Sequence, residues 1–230
     1  LEYFNEDYNL LNILPAEDTA TIEAFIPQVV PVLDADFDLL MPGLSWTYQK
    51  SNNRLYTTRG EKVDVGIRGA RDGFGSNLSF WQARLSGALV RKLGDQGRLI
   101  VRSDVGYTEA DTVPLFNVNI LPESLQFKAG GDRSVRGYGF EEIDAGGLGG
   151  RHLVVSSLEY EHRIFESWGL AAFYDAGDVF NDFSDVKFNE GAGGGVRWYS
   201  PLGPIRLDIA SGLSKEGNPI RVHFSVGSEF

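Results

Sequence analysis

The sequence alternates. In Ile205-Arg206-Leu207-Asp208-Ile209-Ala210 the odd positions are large and apolar, and the even positions are charged or small. Ile220-Arg221-Val222-His223-Phe224-Ser225-Val226-Gly227 repeats the pattern, as does Val63-Asp64-Val65-Gly66-Ile67-Arg68. Successive side chains of an extended strand point to opposite faces. A period of two therefore places one face of each strand in an apolar medium and the other in a polar one. Two all-β architectures satisfy this. A soluble sandwich turns its polar face to water, with a turn roughly every 8–12 residues. A membrane barrel turns its apolar face to lipid.

Segment lengths favour the barrel. Ten strands are predicted, near 1–8, 38–50, 59–70, 79–93, 98–109, 152–165, 168–178, 191–200, 204–213 and 220–230. Most have about 10 residues, the length that crosses a bilayer at a tilt. Connections alternate between short (51–58, 94–97, 166–167, 201–203) and long (9–37, 71–78, 110–151, 179–190, 214–219). Outer-membrane barrels pair short periplasmic turns with long outer loops, and a sandwich has no reason to. The expected fold is one antiparallel transmembrane β-barrel domain over residues 1–230. Its outward set includes Trp46, Tyr48, Trp81, Tyr107, Tyr160, Tyr174, Trp198, Phe224 and Phe230. Its inward set includes Arg68, Arg84, Arg102, Asp104, Glu159, Glu161, Asp175, Arg197, Arg206, Asp208, Arg221 and His223. Facing lipid at the midplane, each such Arg would cost about 2–4 kcal/mol. The apolar patch 25–30 within the acidic segment 9–37 is expected to fold over the barrel mouth.

Composition removes other classes. No run of 18 apolar residues exists, so no helix spans a membrane. The mean hydropathy of -0.18 suits strands that show lipid every second side chain. A net charge of -11 argues against nucleic acid, whose phosphates need clustered Lys and Arg. Cysteine is absent, which excludes disulfides and thiolate metal sites. His152, His162 and His223 are scattered, and no Gly-x-Ser-x-Gly elbow occurs. No enzyme, cofactor or metal site is expected. The chain opens Leu1-Glu2-Tyr3-Phe4 without a leader, and an exported protein needs one. A longer parent protein is therefore expected.

The least ordinary stretch is 128–151, with Gly130, Gly131, Gly137, Gly139, Gly146, Gly147, Gly149 and Gly150 around Asp132, Arg133 and Arg136. It lacks the Gly-Lys-Ser/Thr ending of a phosphate loop and does not lead into a helix as a dinucleotide fingerprint must. On its own residues it reads equally as a mobile surface loop or as a functional one.

The stretch Gly130-Gly131-Asp132-Arg133-Ser134-Val135-Arg136-Gly137-Tyr138 resembles the signature loop of the outer-membrane assembly superfamily that includes BamA, TamA and two-partner-secretion transporters such as FhaC. Three further stretches carry the resemblance. Leu55-Tyr56-Thr57-Thr58-Arg59-Gly60 is similar to the family's turn motif before a strand. Phe173-Tyr174-Asp175-Ala176-Gly177 is similar to its aromatic-x-Asp-x-Gly strand, and Ser200-Pro201-Leu202-Gly203-Pro204-Ile205-Arg206-Leu207-Asp208 to the segment before its last hairpin. Within the family the likeness is greatest to TamA.

The resemblance implies a partial barrel, the C-terminal ten of sixteen strands, in the bacterial outer membrane. It implies that the loop 110–151 folds into the lumen, with its motif Val135, Arg136, Gly137 and Tyr138. Arg136 would meet Asp175 and Glu159, and Phe173 would stack on its guanidinium, beside Gly177 on the same strand. Val222, Phe224, Val226 and Phe230 resemble a C-terminal recognition signal on a strand that pairs weakly, giving a lateral gate; Gly227 and Ser228 agree with weak pairing. The triple Gly193-Gly194-Gly195 marks a weak or bent strand with space for the loop. Closure of the ten strands or edge-to-edge pairing is expected, since open edges in hydrocarbon are costly. The implied activity is insertion or translocation of β-rich proteins such as autotransporters, with lipid, substrate polypeptides and a periplasmic bridge protein of the TamB type as partners. An export pore of the two-partner-secretion kind and a lipid-transport partner of such a bridge are the alternatives.

Overall fold

The computed structural model describes residues 2–9, 34–53, 56–110, 112–113, 118–119, 121–201 and 203–227. The apolar patch 25–30, Leu55, Ser228 and Phe230 lie outside the described residues. The strands are β1 (Glu2–Asn9), β2 (Asp34–Met41), β3 (Gly43–Ser51), β4 (Gly60–Ala70), β5 (Phe80–Leu93) and β6 (Gly97–Ala110). They continue with β7 (Thr112–Val113), β8 (Val118–Asn119), β9 (His152–Phe165), β10 (Trp168–Phe180), β11 (Asn189–Ser200), β12 (Gly203–Gly212) and β13 (Ile220–Val226). No α-helix occurs among the described residues.

Nine strands form one sheet in the order β13-β12-β11-β10-β9-β6-β5-β4-β3. Strands β9 to β13 pair with their chain neighbours as antiparallel hairpins, and β9 pairs antiparallel with β6 across the long loop. The predicted strand 38–50 is broken in two. Pro42, which has no N–H for a ladder, separates β2, paired with β1, from β3 in the large sheet. The predicted closure or edge pairing is not found among the described residues: β3 and β13 are the edges of an open sheet.

The chain divides into two compact units. One comprises 1–44, 67–82 and 108–126 and has an ordinary apolar core of Phe37, Leu39, Met41, Leu78, Phe80, Leu121 and Leu125. The other comprises 45–66, 83–107 and 127–230, and its strands have inverted polarity. On β9, Ser157, Glu159 and Glu161 are buried while Leu158 and Tyr160 are exposed. On β12, Arg206 and Asp208 are buried while Leu207 and Ile209 are exposed. Water would penalise both halves of that arrangement, whereas lipid on the apolar face satisfies it.

Candidate functional site

The site is built where the long loop returns to the sheet. The loop's base is closed by backbone bridges between Phe127 and Gly150 and between Ala129 and Ile143. Phe127, Ala129, Val135, Tyr138 and Ile143 pack there on Leu153, Val155 and Val179. Gly137 has φ +96, and a side chain on it would run into the backbone of Ser211 and Gly212 at 2.6 Å. The chain can turn and touch the wall at that point only without a Cβ.

The wall itself is laid out by register. Cross-strand partners share a face, so β9 to β12 present three inward rows. The first is Ser157, Asp175, Gly191 and Gly212; the second is Glu159, Phe173, Gly193 and Ala210. The third is Glu161, Ala171, Gly195 and Asp208, extended by His223 of β13. Strand β11 contributes a glycine to each row, and these glycines form a trough. A Cβ at Gly191 would collide with the Arg136 carbonyl oxygen, and one at Gly193 would meet the Phe173 ring at 2.7 Å. One at Gly195 would collide with the Asp208 carboxylate. Far from being weak, β11 is paired along both sides; its glycines hold space for the loop and the acids around it.

Arg136 lies in that trough with 2% of its side chain exposed. Its Nε donates to Asp175 Oδ2 at 2.7 Å and its Nη2 to Asp175 Oδ1 at 2.9 Å, a forked contact. Its backbone N–H donates to the same Oδ2 at 3.1 Å. Nη1 donates to Glu159 at 2.7 Å and to Asp208 at 3.2 Å. The guanidinium carbon stands 3.3 Å from the centroid of the Phe173 ring. Burial works against the charge, but the Asp175 hydrogen bonds and the Glu159 and Asp175 charges outweigh it. The guanidinium is held protonated above its ordinary range.

The acids that hold Arg136 are shared with a second arginine. Arg197 of β11 donates to Glu159 at 2.7 Å, to Glu161 at 3.0 Å and to Asp208 at 2.5 Å. Arg98 of β6 donates to Glu161 at 2.7 Å, and Arg102 reaches Glu159 at 3.3 Å. Among the described contacts, four cations (Arg98, Arg102, Arg136, Arg197) thus face four anions (Glu159, Glu161, Asp175, Asp208), and these eight charges balance. That balance is what makes so much buried charge tolerable. Ser157 adds a hydroxyl bond to Asp175 at 2.6 Å.

The other predicted positions are placed as follows. Val135 is fully buried, and a Cβ on Gly177 would stand 2.9 Å from its methyl group. Tyr138 is buried with its ring against Gly212. Val222, Phe224 and Val226 are exposed on the opposite, apolar face of β13 and do not join the cluster. Arg197, Asp208 and Glu161 are hubs that the sequence pattern names only as inward charges, and Arg98 is a hub that it does not name. Register puts Glu161 and Asp208 in the third row, with Arg98 of β6 opposite Glu161, whereas Arg197 stands one row further, opposite Arg206. The acidic run after Asp175 serves its own loop: Asp178 accepts Lys187 N–H at 2.6 Å, and Asp182 caps a single 3-10 turn through Ser184 N–H at 2.8 Å.

An apolar-outside sheet with a glycine-rich loop locked into its charged face is a specific combination, and comparison with known families agrees with it. The family model of the Omp85 superfamily domain matches residues 18–230. The chain belongs to the Omp85 superfamily. The sheet is similar to the crystal structure of BamA from Haemophilus ducreyi lacking POTRA domains 1-3, with a TM-score of 0.69 and 20% sequence identity. That match covers 84% of this chain and 43% of the BamA chain, so this Omp85 chain spans less than half of its relative. Membership and fold together make it a β-barrel protein of the bacterial outer membrane.

Proposed function

We propose that the parent of this Omp85 chain inserts or translocates β-rich outer-membrane polypeptides, autotransporters among them, without catalysing a covalent step. The observation that best supports this reading is the loop lock. A buried charge cluster ties the loop through Arg136 to β9, β10 and β12, beside β13, which among the described residues is an edge strand. An exposed strand edge offers unpaired N–H and C=O groups that template an incoming strand. Substrate folding then supplies the free energy. Outer-membrane lipid, the substrate chain and a periplasmic bridge protein of the TamB type are the proposed partners. The TamA-like subtype, the sixteen-stranded parent barrel and the reading of residues 1–230 as one barrel domain belong to the same proposal.

Photo-crosslinkers at Val222, Phe224 and Val226, in the full protein engaged with an autotransporter substrate, test it. Crosslinks to the substrate's terminal strand are expected. Crosslinks to lipid only, under conditions where the substrate is still assembled, would show that β13 is not the template.

A further inference from the structure

Beyond Arg136, the same loop grips the edge strand itself. The Gly137 N–H donates to Nε2 of His223 at 2.9 Å, so the imidazole accepts there and carries its proton on Nδ1. Five residues on, Glu142 accepts the Gly139 N–H at 2.5 Å, which folds the loop tip back on itself. The Glu142 carboxylate also pairs with Lys215, in the turn between β12 and β13, and with Arg221 of β13 at 3.2 Å. A Cβ on Gly139 would stand 3.4 Å from the Arg221 guanidinium, so loop and strand are in direct contact. The hydrogen bond and the ion pair fall on His223 and Arg221, in the first half of β13. In its second half the ladder to β12 is extended by the Gly227 N–H donating to the Pro204 carbonyl at 3.0 Å, and a Cβ on Gly227 would stand 3.7 Å from the guanidinium of Arg133 in the same loop.

We infer that Glu142 and His223 are positioning residues that clamp the first half of the edge strand to the long loop and so limit how far β13 frays from the sheet. The clamp is separate from the Arg136 cluster, because it acts on β13, whereas Arg136 is held by β9, β10 and β12. An edge strand has a ladder on one side only, and side-chain ties decide how far it frays. From the proposed function the inference takes only the idea that β13 is the strand that opens.

Hydrogen exchange of the whole protein in lipid nanodiscs, without substrate, tests it on peptides covering 220–227. Glu142→Gln combined with His223→Leu is expected to speed exchange in β13 by about tenfold, with β9 and β10 unchanged. Reversing the pairs with Glu142→Lys, Lys215→Glu and Arg221→Glu, His223 being kept, is expected to hold exchange near the wild-type rate. Exchange in β13 unchanged in the double variant, or raised as much in the charge-reversed one, would overturn the clamp. Should the double variant also lose protection in β9 and β10, Glu142→Gln alone is read in its place. It removes one charge and no volume, and unchanged β13 exchange there would equally overturn the clamp. Because no substrate is present, failure here leaves the crosslinking test of function intact, and the reverse holds.

Discussion

Arg136 and Asp175 meet through three hydrogen bonds: Nε to Oδ2 at 2.7 Å, Nη2 to Oδ1 at 2.9 Å and the Arg136 N–H to Oδ2 at 3.1 Å. One carboxylate thus fixes both the side chain and the backbone of the loop motif. Losing either partner strands a buried charge, which is far more costly than losing a surface pair.

Replacement of Arg136 by Ala should destabilise the folded protein by about 3–5 kcal/mol, measured by urea unfolding in detergent. The loop should also become cleavable by protease between Gly139 and Gly150. Arg136→Lys keeps the charge but loses the fork and the stack on Phe173, so most of that loss should remain.

The trough predicts a steric outcome. Gly191→Ala puts a methyl group where the Arg136 carbonyl oxygen stands, and should unseat the loop in the same protease assay. Gly66→Ala on β4 meets nothing within 4 Å and should leave the loop protected.

Charge state gives a third prediction. Arg136 is pushed above its ordinary range by its acids, so while those acids stay ionised its contribution is complete below the ordinary guanidinium value and is lost as pH rises from there through the elevated one. Raising the pH from about 7 to about 10 should therefore not release the loop through Arg136. Protease protection across that range checks it, with release confined to variants of the cluster.

Much of this was legible in the sequence for a simple reason. Period-two alternation survives whatever tertiary packing does, so the strand candidates fall on the observed strands apart from the break at Pro42. The residues Arg136, Asp175, Glu159 and Phe173, named together through the family resemblance, lie in one cluster. The sharing of those acids with Arg197 was not legible, because it depends on register across three strands rather than on local pattern. The β11 trough was legible only as space for the loop beside a weak or bent strand, because a glycine run looks the same whether it weakens a strand or makes room beside it. His223 looked like one scattered histidine because its partner is a backbone N–H, which leaves no mark on composition.

Arg102 sets a scale within the cluster. It is more exposed than Arg136, with 20% of its side chain accessible, and reaches Glu159 at 3.3 Å. Arg102→Gln should cost about 1 kcal/mol or less, as a wetter and longer pair would. A loss equal to that of Arg136→Ala in the same urea titration would show that the cluster behaves as one unit.

The most direct test is a double-mutant cycle on Arg136→Ala and Asp175→Ala, followed by urea unfolding of the protein in detergent. The account predicts a coupling energy of about 2 kcal/mol or more, with the double variant little worse than either single one. Losses that simply add, with coupling near zero, would contradict the claim that this pair seats the loop in the wall.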